Sequence, residues 1–221
     1  MFLLTDKIEF PNTALAHPNG LLAVGGDLSV ARLLLAYKKG VFPWFNDDGD
    51  EILWWSPNPR FVLFPDRLKV SKSMSKILRS KDFTVTLNKD FESVISECAK
   101  AKRSGQDGTW ITDEMIKAYT KLHLLGYAKS VEVWQNDQLV GGLYGIDLGH
   151  GMFCGESMFA KVSNASKVAF ITFVQNSHYK LIDCQIYTDH LASLGAEEMV
   201  RSEFLQYLEG SKFDDASFKK F

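Results

Sequence analysis

The sequence predicts an α+β protein: a small N-terminal domain, residues 1–61, packed on a C-terminal domain, residues 62–221, built on a mixed sheet flanked by helices. Three observations carry that expectation. Residues 1–60 are rich in Gly, Pro and Trp and hold one clear helical pattern, whereas from residue 61 strand and helix patterns alternate. Three strand patterns then follow one another between residues 128 and 160 across short turns, as in an antiparallel meander. A chain of 221 residues has room for both parts and for a sizeable core.

In the first part, Asp27 reads as a helix cap, Leu28, Ala31, Leu34 and Leu35 as an apolar stripe, and Gly40 as the stop; the rest reads as turns and loops. So short and helix-poor a segment is expected to lean on the larger domain and to wall one side of a cleft. Beyond it, residues 61–64 and 83–87 read as strands, with helices near 71–80 and 89–103 led by Ser71 and Asn88. Thr112 caps a helix that runs to Gly126. The meander follows at 128–135, 139–147 and 152–160, its first turn at Asn136-Asp137. A helix over 164–176, a returning strand over 180–186 and short helices near 189–194 and 201–209 complete the chain.

That order of meander, helix and returning strand is similar to the acetyltransferase (GNAT-type) superfold. An acyl-CoA enzyme needs backbone N–H groups, usually in a Gly-rich turn, to hold the cofactor's pyrophosphate where the helix opens. Residues 160–167 contain no glycine, so the donor is expected not to be CoA and no cofactor is expected.

Composition narrows the classes further. With 46% hydrophobic and 24% charged residues the chain is globular, which excludes disorder and coiled coil. A net charge of −2 leaves no bulk attraction for nucleic acid, so a polyanion must meet a local patch. One is present: Arg67, Lys69, Lys72, Lys76, Arg79 and Lys81 fall in a stretch without an acid, which suits phosphate contact or a solvated helix face. Three scattered cysteines fit a reducing compartment, no metal-ligand spacing occurs, and no apolar run is long enough for a leader core or a membrane span. A cytoplasmic monomer, without membrane or metal, is expected.

No triad order, nucleophile elbow, P-loop or dinucleotide fingerprint is present. The polar candidates lie on strands instead. Alternation places Glu156 on one face with Met158, and Asp183 on one face with Gln185; polar groups in apolar strands need partners, as a structural network or as a site. Trp44, Trp110 and Tyr119 supply flat surfaces, for packing or for stacking on unpaired bases at about 1–3 kcal/mol each.

The strings Gly40-Val41-Phe42-Pro43-Trp44-Phe45, Leu53-Trp54-Trp55-Ser56-Pro57, Gly108-Thr109-Trp110-Ile111-Thr112, Gly155-Glu156-Ser157-Met158-Phe159 and Leu181-Ile182-Asp183-Cys184-Gln185 together resemble the leucyl/phenylalanyl-tRNA–protein transferase family, in order and from about residue 10 to 205. The resemblance implies an enzyme that moves Leu or Phe, with Met as a further donor, from aminoacyl-tRNA to the N-terminal Lys or Arg of acceptor proteins and so marks them for N-degron degradation. It implies that Trp44 and Trp110 hold the terminal adenosine and that Leu143, Met158, Phe170, Phe173 and Ile182 line the side-chain pocket. Glu156, Asp183 and Gln185 would form the polar centre, and the basic run would grip the tRNA. Ser177, where the family often has an aromatic residue, and Lys129, where it usually has His, depart from the pattern.

Overall fold

The computed structural model describes residues 1–45, 49–101, 111–149 and 151–210. In chain order its elements are β1 (Phe2–Leu4), β2 (Leu21–Gly25), α1 (Val30–Lys38), β3 (Phe42–Pro43), β4 (Leu53–Trp55), β5 (Arg60–Leu63), α2 (Lys72–Arg79), β6 (Thr84–Leu87) and α3 (Phe91–Lys100). They continue with α4 (Asp113–Leu124), β7 (Ala128–Gln135), β8 (Gln138–Gly149), β9 (Met152–Ala160), α5 (Ala165–Asn176), β10 (Leu181–Gln185), α6 (Asp189–Ser193), β11 (Glu197–Met199) and α7 (Arg201–Glu209). Among the described residues two sheets form: a four-stranded one ordered β1-β2-β4-β3 and a seven-stranded one ordered β11-β5-β10-β9-β8-β7-β6. The second is mixed, because β10 returns through α5 to lie parallel to β9 while its other neighbours are antiparallel. α+β architecture with helices on both faces follows directly.

The N-terminal sheet replaces the loops expected there. Its strands are two to five residues long, too short for alternation to register in the sequence, and they close around Trp54, which is fully buried. Burying a ring of that size contributes on the order of 5 kcal/mol of transfer free energy. The cap of α1 also differs. Ser29 Oγ accepts from Arg32 N, while Asp27 accepts from Ser29 N and pairs with Arg32. With that partner and the carbonyl of Thr5, Arg32 is buried, so the inward face is Arg32, Leu33, Ala36 and Tyr37 rather than the purely apolar stripe. Likewise Asp90, not Asn88, caps α3; Asn88 sits at φ 55° and accepts from Ser130 N across the sheet. Strand β11 had no readable signal.

Other local signals were direct. Ser71 and Thr112 cap α2 and α4 by accepting from Met74 N and Met115 N. Asn136 and Asp137 both take positive φ, 50° and 60°, as a two-residue hairpin turn requires. The large sheet has a core on each face. Phe91, Val94, Met115, Tyr119, Ile146 and Leu181 pack with the N-terminal sheet and α1 on one side. Val131, Leu143, Phe153, Phe170 and Ile182 pack with α2 and α5 on the other.

Candidate active site

Strands β9 and β10 pair only at Leu181–Asp183 against Met152–Cys154. Beyond those residues, Gly155–Ala160 and Cys184–Ile186 border a cavity of about 500 Å³, which Phe42, Pro43 and Trp44 of the N-terminal part close from the side. Its apolar lining includes Leu143, Phe153, Met158, Phe170 and Ile182. A register shift in the β8–β9 pairing, between Tyr144↔Ser157 and Gly145↔Gly155, changes the parity of the strand. Glu156 therefore joins the Tyr119 side of the sheet and Met158 the Leu143 side, contrary to the simple alternation. Both still reach the cavity because it lies where the strands part.

The polar centre is a connected network. Gln185 Nε2 donates to Glu156 Oε1 at 2.7 Å, and Tyr119 OH donates to Glu156 Oε2 at 3.2 Å. The Tyr119 hydroxyl is also hydrogen-bonded to that of Tyr37. Burial pushes the Glu156 carboxyl up to about 8; the Tyr37 and Tyr119 hydroxyls and Arg60 pull it back, and Asp183 adds to the rise. Asp183 is wholly buried in a two-pronged ion pair, Arg60 Nε to Oδ1 at 2.8 Å and Arg60 Nη2 to Oδ2 at 2.6 Å. Its Oδ1 also accepts from Gln185 N at 2.9 Å. Gln185 occupies left-handed backbone at φ 65°, beside a register shift in the β10–β5 pairing. Such a conformation costs a non-glycine residue about 1–2 kcal/mol, which the hydrogen bonds at its amide and side chain offset.

The expected site residues separate accordingly. Trp44, Leu143, Met158, Phe170, Ile182, Glu156 and Gln185 line the cavity. Asp183 does not; it lies beneath, its carboxylate taken up by Arg60 and the Gln185 amide. Tyr119 offers no ring face for stacking, because its ring is fully buried against Tyr144 and only its hydroxyl reaches the network. Phe173 lies a helical turn beyond Phe170, packs against Phe153 with the ring centroids 4.5 Å apart and the planes tilted by 54°, and borders a separate cavity of about 210 Å³ that includes Lys129 and Ser177. Trp110 lies outside the described residues. Cys184 lines the cavity, but burial pushes its thiol far up, which keeps it protonated and non-nucleophilic.

Arg67, Lys69, Lys72, Lys76, Arg79 and Lys81 are all exposed, with Lys72, Lys76 and Arg79 at helical spacing on α2. Arg67 is partly neutralised by an ion pair to Glu197. Tyr37 and Arg60 belong to the centre without having stood out in the sequence. For Arg60 a signal existed: a charge at the head of the apolar run Phe61–Phe64 must be solvated or paired, and a buried one needs an acid. Its acid is 123 positions away, beyond local reading.

Comparison with known proteins adds lineage to this geometry. The family model described as leucyl/phenylalanyl-tRNA protein transferase matches residues 62–209, and the model of that enzyme's N-terminal domain matches 26–58. Proteins named leucyl/phenylalanyl-tRNA–protein transferase are similar over nearly the whole length. That of Flavobacterium johnsoniae is 59% identical over 94% of this chain and 99% of its own. That of Pectobacterium carotovorum is 57% identical over 93% and 88%, and that of Pseudomonas aeruginosa 56% over 94% and 93%. Among solved structures, a GCN5-related N-acetyltransferase from Kribbella flavida is 11% identical with a TM-score of 0.38, covering 74% of this chain and 58% of that one, a likeness too distant to bear on the site.

Proposed function

Because the chain belongs to the leucyl/phenylalanyl-tRNA–protein transferase family, we propose that its cavity seats the leucyl or phenylalanyl side chain of an aminoacyl-tRNA. Gln185 and Glu156 then steer a protein's α-amine onto the ester carbon. The protein is an aminoacyltransferase that moves Leu or Phe from tRNA to protein. The acceptors in this reading begin with Lys or Arg, Met is a further donor, and transfer marks the acceptor for N-degron degradation in the cytoplasm. Residues 1–61 supply the Trp44 wall, which with Trp110 holds the terminal adenosine, and add Tyr37 and Arg60 to the polar network, while residues 62–221 supply Gln185, Glu156 and the rest of the reaction centre. The exposed basic residues of α2 and its flanks meet the tRNA backbone.

The observation that carries this reading is the apolar cavity ending at the Gln185–Glu156 pair. Unbranched Met158 and the flat Phe170 ring accept a side chain that is slim at its β-carbon, whereas the β-branch of Val or Ile brings bulk one atom earlier. An aminoacyl ester is already activated, so the main task is alignment, worth up to roughly 7–11 kcal/mol in well-oriented cases. With Gln185 Nε2 committed to Glu156, the carboxamide oxygen remains to accept from the incoming amine. A protein α-ammonium has a pKa of about 7.7–8.0, close to the value of about 8 for Glu156, so a proton passes between them at little cost. The amine nitrogen bonds to the carbonyl carbon, the ribose oxygen departs with a proton, and the new peptide leaves the cavity.

The test is transfer of radiolabelled Leu from charged tRNA to a peptide beginning with Arg. Labelled product from Leu-tRNA and Phe-tRNA but little from Val-tRNA is expected, with none on an N-acetylated peptide. Equal transfer from Val-tRNA would remove the shape argument, and no transfer at all would remove the reaction.

A further inference from the structure

We infer that Arg60 is a positioning residue for transfer, holding Gln185 in its working orientation through Asp183; the inference rests on the functional reading above. Arg60 is buried to 1% exposure at the head of β5, and its guanidinium is fixed on every side. The rings of Phe42 and Phe204 lie over it at 4.8 and 4.7 Å, and Nη1 donates to the carbonyl of Gly40 at 3.3 Å. From that seat its fork grips both Asp183 oxygens, at 2.8 and 2.6 Å. Asp183 Oδ1 in turn accepts from Gln185 N at 2.9 Å, the amide of the residue whose φ of 65° turns its side chain onto Glu156. Without the fork the carboxylate is free to rotate, the amide loses its acceptor, and the left-handed backbone loses the bond that offsets its cost. The carboxamide would then point to the amine only part of the time, and misplacement of about an ångström can cost on the order of 100-fold in rate.

The experiment uses the full chain and Arg60→Lys, which keeps the charge but not the planar two-pronged fork. Its kcat is expected to fall about 10–100-fold while KM for Leu-tRNA stays within about 2-fold. In a Gln185→Ala background the same change is expected to cost nothing further, because the group it positions is gone. Equal losses in both backgrounds, or an unchanged kcat, would overturn the inference.

A second readout does not depend on transfer. In the NMR spectrum of nitrogen-labelled protein, the Gln185 side-chain amide signals, identified by their loss in Gln185→Ala, are expected to move on Arg60→Lys. Unmoved signals overturn the positioning role whether or not the wild-type protein transfers Leu; a wild-type protein that transfers none sinks the functional reading instead. If Arg60→Lys does not fold, Asp183→Asn, equal in shape, is expected to shift the same signals and to show the same non-additivity.

Discussion

Gln185 and Glu156, 29 positions apart in sequence and on neighbouring but diverging strands, are joined by a 2.7 Å hydrogen bond at the end of an apolar cavity. One end of the carboxamide is thereby fixed, the other is the end that the proposed reaction gives to the incoming amine, and burial pushes the carboxyl up to about 8.

Removing the carboxamide acts on the reaction rather than on binding. Gln185→Ala is expected to lower kcat about 10–100-fold with KM for aminoacyl-tRNA little changed, since the basic face and the apolar cavity stay intact. Single-turnover transfer measures it, and an unchanged rate would take Gln185 out of the mechanism.

Glu156 makes stability depend on pH. Its carboxyl titrates near 8 when folded, against 4.5 as the ordinary value, so between those pH values the folded state binds the extra proton. Unfolding then releases a proton, and stability falls as pH rises through this window, by on the order of a few kcal/mol. Glu156→Gln mimics the protonated acid: it can accept from Gln185 and donate to Tyr119. Urea unfolding from about pH 5 to about pH 9 is expected to show a steep decline for the wild type and a flatter one for the variant. Parallel curves would contradict the raised carboxyl.

Asp183→Ala is expected to cost stability as well as activity. It strands the guanidinium of Arg60, 1% exposed, without its acid, and breaking a buried pair from one side costs about 3–5 kcal/mol. Thermal unfolding should drop by on the order of 10 °C. A melting temperature within a degree or two of wild type would mean that Arg60 finds another partner.

The basic helix should answer to salt and not to heat. Lys72, Lys76 and Arg79 are exposed, so replacing all three with Gln is expected to leave the melting temperature nearly unchanged. The plot of log affinity for tRNA against log salt concentration should become shallower by about 2–3. An unchanged slope would move the tRNA to another face.

Much of the fold was legible because its signals are local. The meander boundaries at 128–135 and 152–160, the caps Ser71 and Thr112 and the Asn136-Asp137 turn depend on residues within a few positions of one another. The N-terminal strands were not, being too short to show a period, nor was the burial of Arg32, which an apolar count treats as surface. Of the residues the sequence offered to a site, Leu143, Met158, Phe170, Ile182, Glu156 and Gln185 line the cavity, whereas Asp183, Phe173 and the ring of Tyr119 do not.

The sequence by itself determined the order of elements, the apolar and polar residues offered to a site, the basic face and the lineage, since composition, short-range pattern and motif are written along the chain. Only the tertiary structure decided how those residues are used. A register shift sent Glu156 and Met158 to opposite faces, Arg60 drew Asp183 under the cavity, and the left-handed backbone of Gln185 turned its own side chain into it. The physical reason is that alternation fixes a side chain's face only while the ladder is unbroken, and a buried charge goes to whichever distant partner desolvation forces on it.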